Sequence, residues 1–290
     1  MDIKQPKTHE QHLELLKSRG CIIEDESFCL DVLSKVNYYR FSAYFLPFRN
    51  TDRKTYKPNT TFNQIYNIYE FDQHMRHLVF SILEEVEVYM RSKIAYFHAH
   101  KYGSLGYEDA GNFNAKHDHV SFLKLLSDEK NKNKNVLFVK HHIDNYCGKM
   151  PIWAIIELFS FGMLSRFYSD LPTGDRNQLA NELFGFDESL VRSWLQCCTN
   201  LRNICAHYGR LYFRLLGATP LTPKGYKYTL DKNLFSALTM LKLMSIDVNR
   251  WNTFFMIELK SLICNYSGLI NLQHIGFPND WPELLAQNEE

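Results

Sequence analysis

The chain has 290 residues, of which 45% are hydrophobic and 22% are charged, and its formal net charge is +1. This composition excludes a disordered, fibrous or highly charged chain and is typical of one large globular domain or two small ones. Because positive and negative charges nearly cancel, any nucleic-acid site must be a local patch of the surface.

Helical hydrophobic patterns run through most of the chain. Helices are predicted over residues 9–19, 25–36, 62–101, 115–128, 136–146, 151–168, 175–184, 188–206, 231–247 and 250–264. The segment 62–101 contains neither glycine nor proline, so it forms one very long helix or two helices joined by a kink. The aromatic stretch 38–48 is a helical turn that Pro47 ends. Irregular segments are predicted at 51–61, 102–114, 207–230 and 265–290, the first of them a loop or a small hairpin.

These patterns predict an all-α fold, a helical bundle with additional helices at both ends. No internal repeat and no Pro/Ser/Gly-rich linker divides the chain. We expect a helical subdomain over 1–60, which can also be part of the same domain, a main helical domain over 61–270 and a C-terminal tail over 271–290.

The seven cysteines indicate the redox compartment of the protein. Their number is odd, no C-x-x-C occurs, and several fall inside apolar helical patterns, so we predict reduced thiols. The polar residues 1–6 do not resemble a signal peptide, and no apolar run approaches the ~18 residues of a membrane helix. We therefore expect a cytoplasmic protein with no membrane partner.

Twelve histidines raise the question of a metal site. Three close pairs occur: His98 and His100, His117 and His119, His141 and His142. None fits H-E-x-x-H, and no cysteine pair has zinc-finger spacing, so we predict surface histidines, no metal and no cofactor. The chain also lacks G-x-S-x-G, Walker and G-x-G-x-x-G motifs, which removes the sequence support for a hydrolase, P-loop or kinase function.

The most informative segment is Leu201–Phe213, which places Arg202 and His207 in an Arg-x4-His pattern at the end of an apolar helix. On a regular helix His207 lies about 140° around the axis from Arg202. The two side chains can act on one ligand only if the helix ends near 206–209, which Gly209 favours, or if they meet in a cleft beside it. Arg210 is three residues after His207 and can share its side.

This pair suits RNA cleavage. The attacking 2′-hydroxyl must lose a proton and the leaving 5′-oxygen must gain one, and a histidine can do either near neutral pH. Arg202 stays charged and can donate two parallel hydrogen bonds to phosphate oxygens. Asn203 can hydrogen-bond the phosphate or orient Arg202. The spacing alone is weak, because Arg91-x6-His98 also fits it, and the pair can simply be basic residues packed on Tyr208.

Three stretches together resemble a known family. They are Val36–Arg49 with Asn37-Tyr38-Tyr39-Arg40-Phe41 and Pro47, Pro151–Ser165 with Trp153 and Glu157, and Arg202–Leu211 with Arg202, Asn203, Ala206, His207 and Arg210. The last resembles the R-x4–6-H signature of the HEPN superfamily, including the polar residue after the arginine. Taken in order, the three make the chain similar, over about residues 10–270, to the Abi-type abortive-infection proteins (AbiD/AbiF-like) of bacteria.

The resemblance implies an all-helical HEPN bundle, metal-independent RNase activity and a toxin-like role in defence against phage. It also implies a homodimer in which paired motifs form one composite site, and RNA as the substrate, with control by a small RNA in some relatives. Arg202, His207 and Asn203 would then be the catalytic residues, and Arg210 would support them.

Other residues are candidates for the same site. Glu87 and Arg91 are an i, i+4 pair on the long helix, which predicts a helix salt bridge; alternatively, one of them orients the Arg202 site, since acidic residues of the first long helix accompany the motif in HEPN-like proteins. The remaining RNA-binding candidates are Tyr39, Arg40, Arg49, Lys132 and Lys134. The aromatic residues of 38–48 are predicted mostly to pack in the core, and the basic segment 130–135 is predicted to be a solvated loop.

Two alternatives to an endoribonuclease stay open. One is a HEPN-like RNA-binding or protein-interaction module without catalysis, which would bind its partner equally well after His207→Ala. The other is that the histidine region accepts a modification from a partner nucleotidyltransferase, as in some HEPN toxin pairs.

Overall fold

The regular structure of the protein is helical, as seen in a computed structural model that describes residue 3 and residues 5–287. The α-helices are α1 His9–Ser18, α2 Glu26–Lys35, α3 Tyr38–Phe41, α4 Phe62–Tyr102, α5 His119–Lys132, α6 Leu137–Tyr146, α7 Ile152–Ile155, α8 Phe161–Asp170, α9 Thr173–Phe184, α10 Glu188–Ala206, α11 Leu234–Leu243, α12 Val248–Arg250, α13 Met256–Asn265 and α14 Trp281–Leu285. Over the described part of the chain there is no strand, only isolated bridges between Ile22 and Thr61 and between Arg49 and Tyr56. The predicted all-α fold is confirmed.

Helix α4 is the centre of the fold. Its 41 residues form one unbroken helix about 60 Å long, which settles the choice between one helix and two. The Thr61 hydroxyl caps the first turn by accepting from the Gln64 amide at 3.1 Å, and the helix ends at Gly103, whose φ of +82° few other residues adopt. One face is buried along its length, and α7, α8, α9, α10, α11 and α13 pack around it.

Helix α10 packs against α4 and α8. The apolar stripe of this helix is buried throughout, and it consists of Leu190, Val191, Trp194, Cys198, Leu201 and Cys205. This stripe fixes the rotation of α10, so the other positions of its last turn, including Arg202 and Asn203, lie at the edge of the stripe or outside it. The helix ends at Ala206, within the expected range.

The first 60 residues contribute α1, α2, α3 and a 3₁₀ helix over Ser42–Phe48. The aromatic stretch divides by burial: Phe41, Tyr44 and Phe45 lie in the core, whereas Tyr39 is 88% exposed. Its buried rings belong to the same hydrophobic core as the inner faces of α4 and α10. This region therefore packs directly on the main helical body.

Several boundaries differ from the predictions because side-chain caps override the hydrophobic period. The helix predicted over 151–168 is broken: α7 passes into a 3₁₀ turn over Ile156–Leu158, and Ser160 then caps a new helix by accepting from the Met163 amide at 3.3 Å. Helix α5 begins only after Asp118, which accepts from the Ser121 amide at 3.0 Å, and it extends to Lys132. The predicted basic loop is thus helical in its first half.

The C-terminal part also differs from the predictions. Helix α9 begins at Thr173, two residues before the predicted start at 175. The helix predicted over 250–264 opens with a π-helical turn over Trp251–Phe255. The tail contains a 3₁₀ turn over Leu272–Ile275 and helix α14 where no regular structure was expected. Trp281 and Leu285 of α14 are buried, so the tail is held on the fold by apolar packing.

The prediction of surface histidines is wrong for His98 and His117. His98 is fully buried on the inner face of α4, with its ring 5.3 Å from that of Phe167. The side chain of His117 is 3% exposed, its ring stacks on Phe113 at 4.0 Å, and its Nδ1 lies 2.9 Å from an oxygen of Asp170. Aromatic neighbours therefore bury both imidazoles, although the polar residue type had suggested the surface.

Three further properties follow from the structure. All seven cysteines are free thiols, five of them buried and Cys147 and Cys264 exposed. Among the described residues, no cluster of three or more His, Cys, Asp or Glu side chains has the arrangement to hold a metal ion. None of the helices of the described chain combines the length and the apolar character needed to cross a membrane.

Candidate functional site

The Arg-x4-His motif lies where α10 ends. His207 is the C-cap residue, and its amide donates to the Asn203 carbonyl at 3.1 Å. Tyr208 then takes a left-handed conformation with a φ of +56°, which turns the chain away from the helix axis. Gly209, the residue expected to end the helix, follows that turn, and its amide donates to the Ile204 carbonyl at 2.7 Å. A Cβ at Gly209 would lie 3.0 Å from Ile204, so a glycine suits this close approach.

Arg202 is positioned by two residues of α4. Its Nε lies 3.7 Å from Oε2 of Glu87, and its Cζ lies 5.9 Å from the centre of the Phe80 ring. The side chain is 31% exposed, and its buried Nε has no hydrogen-bond partner among the described residues. A guanidinium carries five N–H donors, so Arg202 keeps donors for a ligand while its charge is anchored on one side.

Glu87 is shared between two arginines. Its Oε1 accepts from Arg91 at 2.5 Å, while Oε2 faces Arg202. Arg91 is held further by the carbonyls of Phe159 at 2.6 Å and Glu157 at 3.3 Å. The helix pair and the approach to Arg202 therefore coexist: the Arg91 contact fixes the Glu87 carboxylate, and the carboxylate in turn faces Arg202.

His207 and Asn203 lie on the surface. Both are exposed, and their spacing of four residues puts their side chains next to each other at the helix end. The His207 imidazole makes no hydrogen bond to another described residue, and no contact joins it to Arg202 within the chain. The imidazole is therefore open to solvent and has no hydrogen-bond partner within the described chain.

The loop after the motif is tied to α4 by a buried carboxylate. Asp72 accepts from the amides of Leu211 at 3.0 Å and Tyr212 at 2.7 Å and from the Tyr44 hydroxyl at 2.6 Å. Its charge is paired with Arg76 at 2.5 Å. Burial raises the pKa of Asp72, and these donors, Arg76 first, oppose that rise. This network holds residues 211–212, and with them the end of the motif, at a fixed place.

Two hydrogen bonds connect the motif and the aromatic stretch, and each segment supplies one of the two donor arginines. Arg40 of α3 donates to the Tyr208 carbonyl, and Arg210 donates to the Ala43 carbonyl at 3.0 Å. Arg210 is half-buried, and burial lowers the pKa of its guanidinium. The structure thus brings Arg40 to the edge of the motif, while Arg210 points inward and holds the loop.

The fold does not bring the remaining RNA-binding candidates to the Arg202–His207 motif. Lys132 pairs with Glu129 at 2.6 Å in the last turn of α5, and Lys134 lies exposed just after that helix. Arg49 is half-buried in the bridge with Tyr56. No contact of these three side chains with Arg202 or His207 exists among the described residues.

The second Arg–His spacing, Arg91-x6-His98, does not form a site. His98 is fully buried, and burial lowers its pKa to about 4. Both of its ring nitrogens lack partners among the described residues. A fully buried imidazole cannot contact a substrate. The structure therefore distinguishes the two occurrences of the Arg–His pattern, which the sequence could not.

Sequence reasoning missed Asp72, Arg76 and Tyr208. A signal existed for the first two, because an Asp–Arg pair at i, i+4 on the buried face of a helix needs compensating partners. No signal existed for Tyr208, since its strained backbone follows from the contacts of its carbonyl with Arg40 and of the next residues with α4.

Comparisons with known proteins address the identity of the chain. No curated protein sequence matched it, and no solved structure matched it. The model of the family described as Abi-like protein matches residues 31–213, which is more than half of the chain. The matched region includes the aromatic stretch, all of α4 and the Arg202–His207 motif. The protein therefore belongs to the Abi-like protein family.

Proposed function

We propose that this protein is a metal-independent endoribonuclease of a bacterial abortive-infection system, with the HEPN type of site at Arg202 and His207. The observation that supports this most is the state of these two side chains. The Arg202 Nε faces Glu87 at 3.7 Å while its terminal nitrogens make no hydrogen bond within the described chain, and the exposed His207 imidazole, five positions later, makes none either. A purely structural basic pair would use its donors within the fold, as Arg76 does.

The reaction proceeds by attack of a ribose 2′-oxygen on the adjacent phosphorus. The 2′-hydroxyl gives its proton to an imidazole, the new P–O bond forms, and the bond to the 5′-oxygen breaks as that oxygen gains a proton. The products are a 2′,3′-cyclic phosphate and a 5′-hydroxyl. Arg202 holds the non-bridging oxygens and stabilises the charge that builds on them, while Asn203 hydrogen-bonds the phosphate.

A homodimer completes this mechanism. One chain supplies a single exposed imidazole at the helix end, whereas the reaction uses a base and an acid. Two copies of the motif facing one another across a two-fold axis bring a second His207 to the same phosphate. In this arrangement one imidazole takes the proton of the 2′-hydroxyl and the other protonates the 5′-oxygen.

Glu87 and Arg91 act as positioning residues. Arg91 fixes the Glu87 carboxylate, and Glu87 limits the orientations of the Arg202 guanidinium before substrate binds. An oriented arginine loses less conformational freedom on binding phosphate, which favours the transition state. Arg210, Arg40 and Asp72 hold the loop that carries the motif.

One observation favours a second function, a module that binds RNA or protein without cleaving it. Arg202 and His207 do not touch each other within the chain, so a protein that never brings two motifs together has an incomplete site. Such a module keeps its affinity for RNA after His207→Ala and leaves the RNA intact.

The deciding experiment incubates end-labelled single-stranded RNA with wild type, Arg202→Ala and His207→Ala in the presence of EDTA. His9→Ala, which replaces an exposed histidine far along the chain from the motif, is the matched control. We expect cleavage to cyclic-phosphate ends by wild type and the control, and none by the two motif variants. RNA that stays intact in all four reactions, while wild type binds it, favours the non-catalytic module.

A further inference from the structure

Three large aromatic side chains are exposed on one face of the protein. Tyr96 of α4 is 66% exposed, Trp153 of α7 is 56% exposed and Tyr146 of α6 is 55% exposed. The other tryptophans are buried, with Trp281 the least so at 8%. Rings of this size forgo the stabilisation of burial when they stay exposed to water, so their exposure side by side indicates a surface that binds something.

These rings line one continuous groove. A depression of about 410 Å³ lies between Tyr96 and Trp153, and a second of about 700 Å³ continues on the far side of Trp153 to Tyr146 and Lys149. A third, of about 500 Å³, begins at Tyr96 and runs past Lys93. Because neighbouring depressions share Tyr96 and Trp153, the groove passes each ring in turn.

The groove carries four cations, two of which have acidic partners. Its cations are Arg91, Lys93, Lys101 and Lys149, and its acids are Glu157 and Glu182. Within the described chain, Lys93 and Lys149 have no acidic partner within 4 Å, whereas Arg91 and Lys101 are paired. Stacking rings interleaved with free lysines match a flexible polyanion that carries aromatic bases.

The groove reaches the candidate catalytic site through one residue. Arg91 lines the middle depression and donates to Glu87, whose other oxygen faces Arg202 at 3.7 Å. A strand that occupies the groove beside Trp153 therefore passes within two side chains of Arg202.

We propose that this groove, called here the aromatic groove, binds single-stranded RNA by stacking bases on Tyr96, Trp153 and Tyr146 and by pairing phosphates with Lys93 and Lys149. The inference rests on the proposed function, because it assigns the track along which the substrate reaches Arg202. A second copy of the chain is a poorer occupant, since protein interfaces are depleted in lysine and this groove carries two lysines without partners.

Trp153 supplies a direct readout because it is the only strongly exposed tryptophan of the described chain. The probe is a 2′-O-methyl oligonucleotide, which has no nucleophilic 2′-hydroxyl, so binding is measured apart from cleavage. We expect it to quench the exposed tryptophan emission of wild type, and the affinity to fall steeply with salt. Unchanged emission at a concentration that saturates binding would overturn the proposal.

Variants provide a second measurement by fluorescence anisotropy of the labelled oligonucleotide. Trp153→Ala is expected to weaken binding at least about fivefold, the lower end of what a lost stacking ring costs. Lys149→Gln is expected to weaken it and to reduce its salt dependence. The matched controls are Phe254→Ala and Lys260→Gln, exposed residues outside the groove, which should bind as wild type does.

The outcomes separate this inference from the proposed function. Wild type that cleaves RNA while Trp153→Ala binds and cleaves equally well would overturn the groove and leave the nuclease in place. Groove-dependent binding without cleavage by wild type supports the groove and counts against the nuclease. A Trp153→Ala protein that turns from dimer to monomer with unchanged affinity for RNA would show that the face joins two copies, and would overturn the proposal.

Discussion

Glu87 and Arg202, 115 positions apart in the chain, face each other at 3.7 Å across the contact between α4 and α10. The distance is too long for a good hydrogen bond and short enough for an oriented ion pair. Glu87 therefore orients the Arg202 side chain without forming a hydrogen bond to it. The proposed role of Arg202 in binding phosphate depends on this relationship.

Replacement of Glu87 by Gln tests its positioning role. We expect RNA cleavage to fall about 10- to 100-fold, mainly in kcat, because Arg202 loses the charge that orients it. A role confined to stability would lower the amount of folded protein and leave kcat of the folded fraction unchanged. Glu85→Gln is the matched control. Glu85 lies on the same helix as Glu87, but its partner is Arg250 of α12 and not a residue of the motif. Equal kcat values for Glu87→Gln and wild type would remove Glu87 from the site.

Asp72→Ala tests the anchor of the motif loop. We expect the free energy of unfolding to drop by about 3–5 kcal/mol in urea, because Arg76 is left buried and unpaired and two loop amides lose their acceptor. Asp31→Ala breaks an exposed i, i+4 pair with Lys35 and should cost below about 0.5 kcal/mol. A loss for Asp72→Ala as small as that of the control would mean that the loop holds its place without this carboxylate.

Much of this arrangement could be predicted from the sequence. The run 62–101 without glycine or proline gives α4, and the apolar period of 188–206 gives both α10 and the rotation that leaves Arg202 at the edge of the buried stripe. The helix end after Ala206 follows from the glycine at 209 and from the weaker apolar pattern beyond it. These features are local, because each depends on residues within a few turns.

The remaining features depend on contacts between distant segments. The break in 151–168 arises because the Ser160 side chain caps a new helix at a point where the apolar period continues. His98 continues the i, i+4 spacing of the buried residues Met90 and Ile94, and rings from 113 and 167 enclose it, although its residue type suggested the surface. The approach of Glu87 to Arg202 requires knowing which face of α4 packs on α10, and periodicity along one helix does not give that.

His98 makes stability depend on pH. Burial lowers its pKa from 6.5 to about 4, so between these values the unfolded chain binds more protons and stability falls as pH falls. Between pH 7 and pH 4.5 this group should cost wild type about 2–3 kcal/mol. In His98→Phe that part of the pH dependence should be missing from urea unfolding curves, whereas His100→Phe should retain it. Parallel pH profiles for wild type and His98→Phe would contradict the account.

Replacement of Tyr208 by Asn tests whether the unfavourable backbone conformation at the motif is kept for function. The Tyr208 φ of +56° is unfavourable for a tyrosine and acceptable for an asparagine, while its ring is 66% exposed. We expect Tyr208→Asn to unfold with a free energy equal to wild type or up to about 1 kcal/mol higher. Its affinity for RNA should fall because the ring beside His207 is lost. Lower stability of Tyr208→Asn in thermal unfolding, or unchanged affinity, would argue that the ring is there for packing.

The most direct test of the central claim is the single-turnover rate of RNA cleavage by His207→Ala relative to wild type, measured in EDTA on protein shown by circular dichroism to be folded. Because the imidazole is exposed and makes no hydrogen bond within the described chain, the fold should be unchanged. The rate should fall by at least about 100-fold, the contribution of a general acid or base. Cleavage by folded His207→Ala at the wild-type rate would contradict the assignment of this motif as the catalytic site.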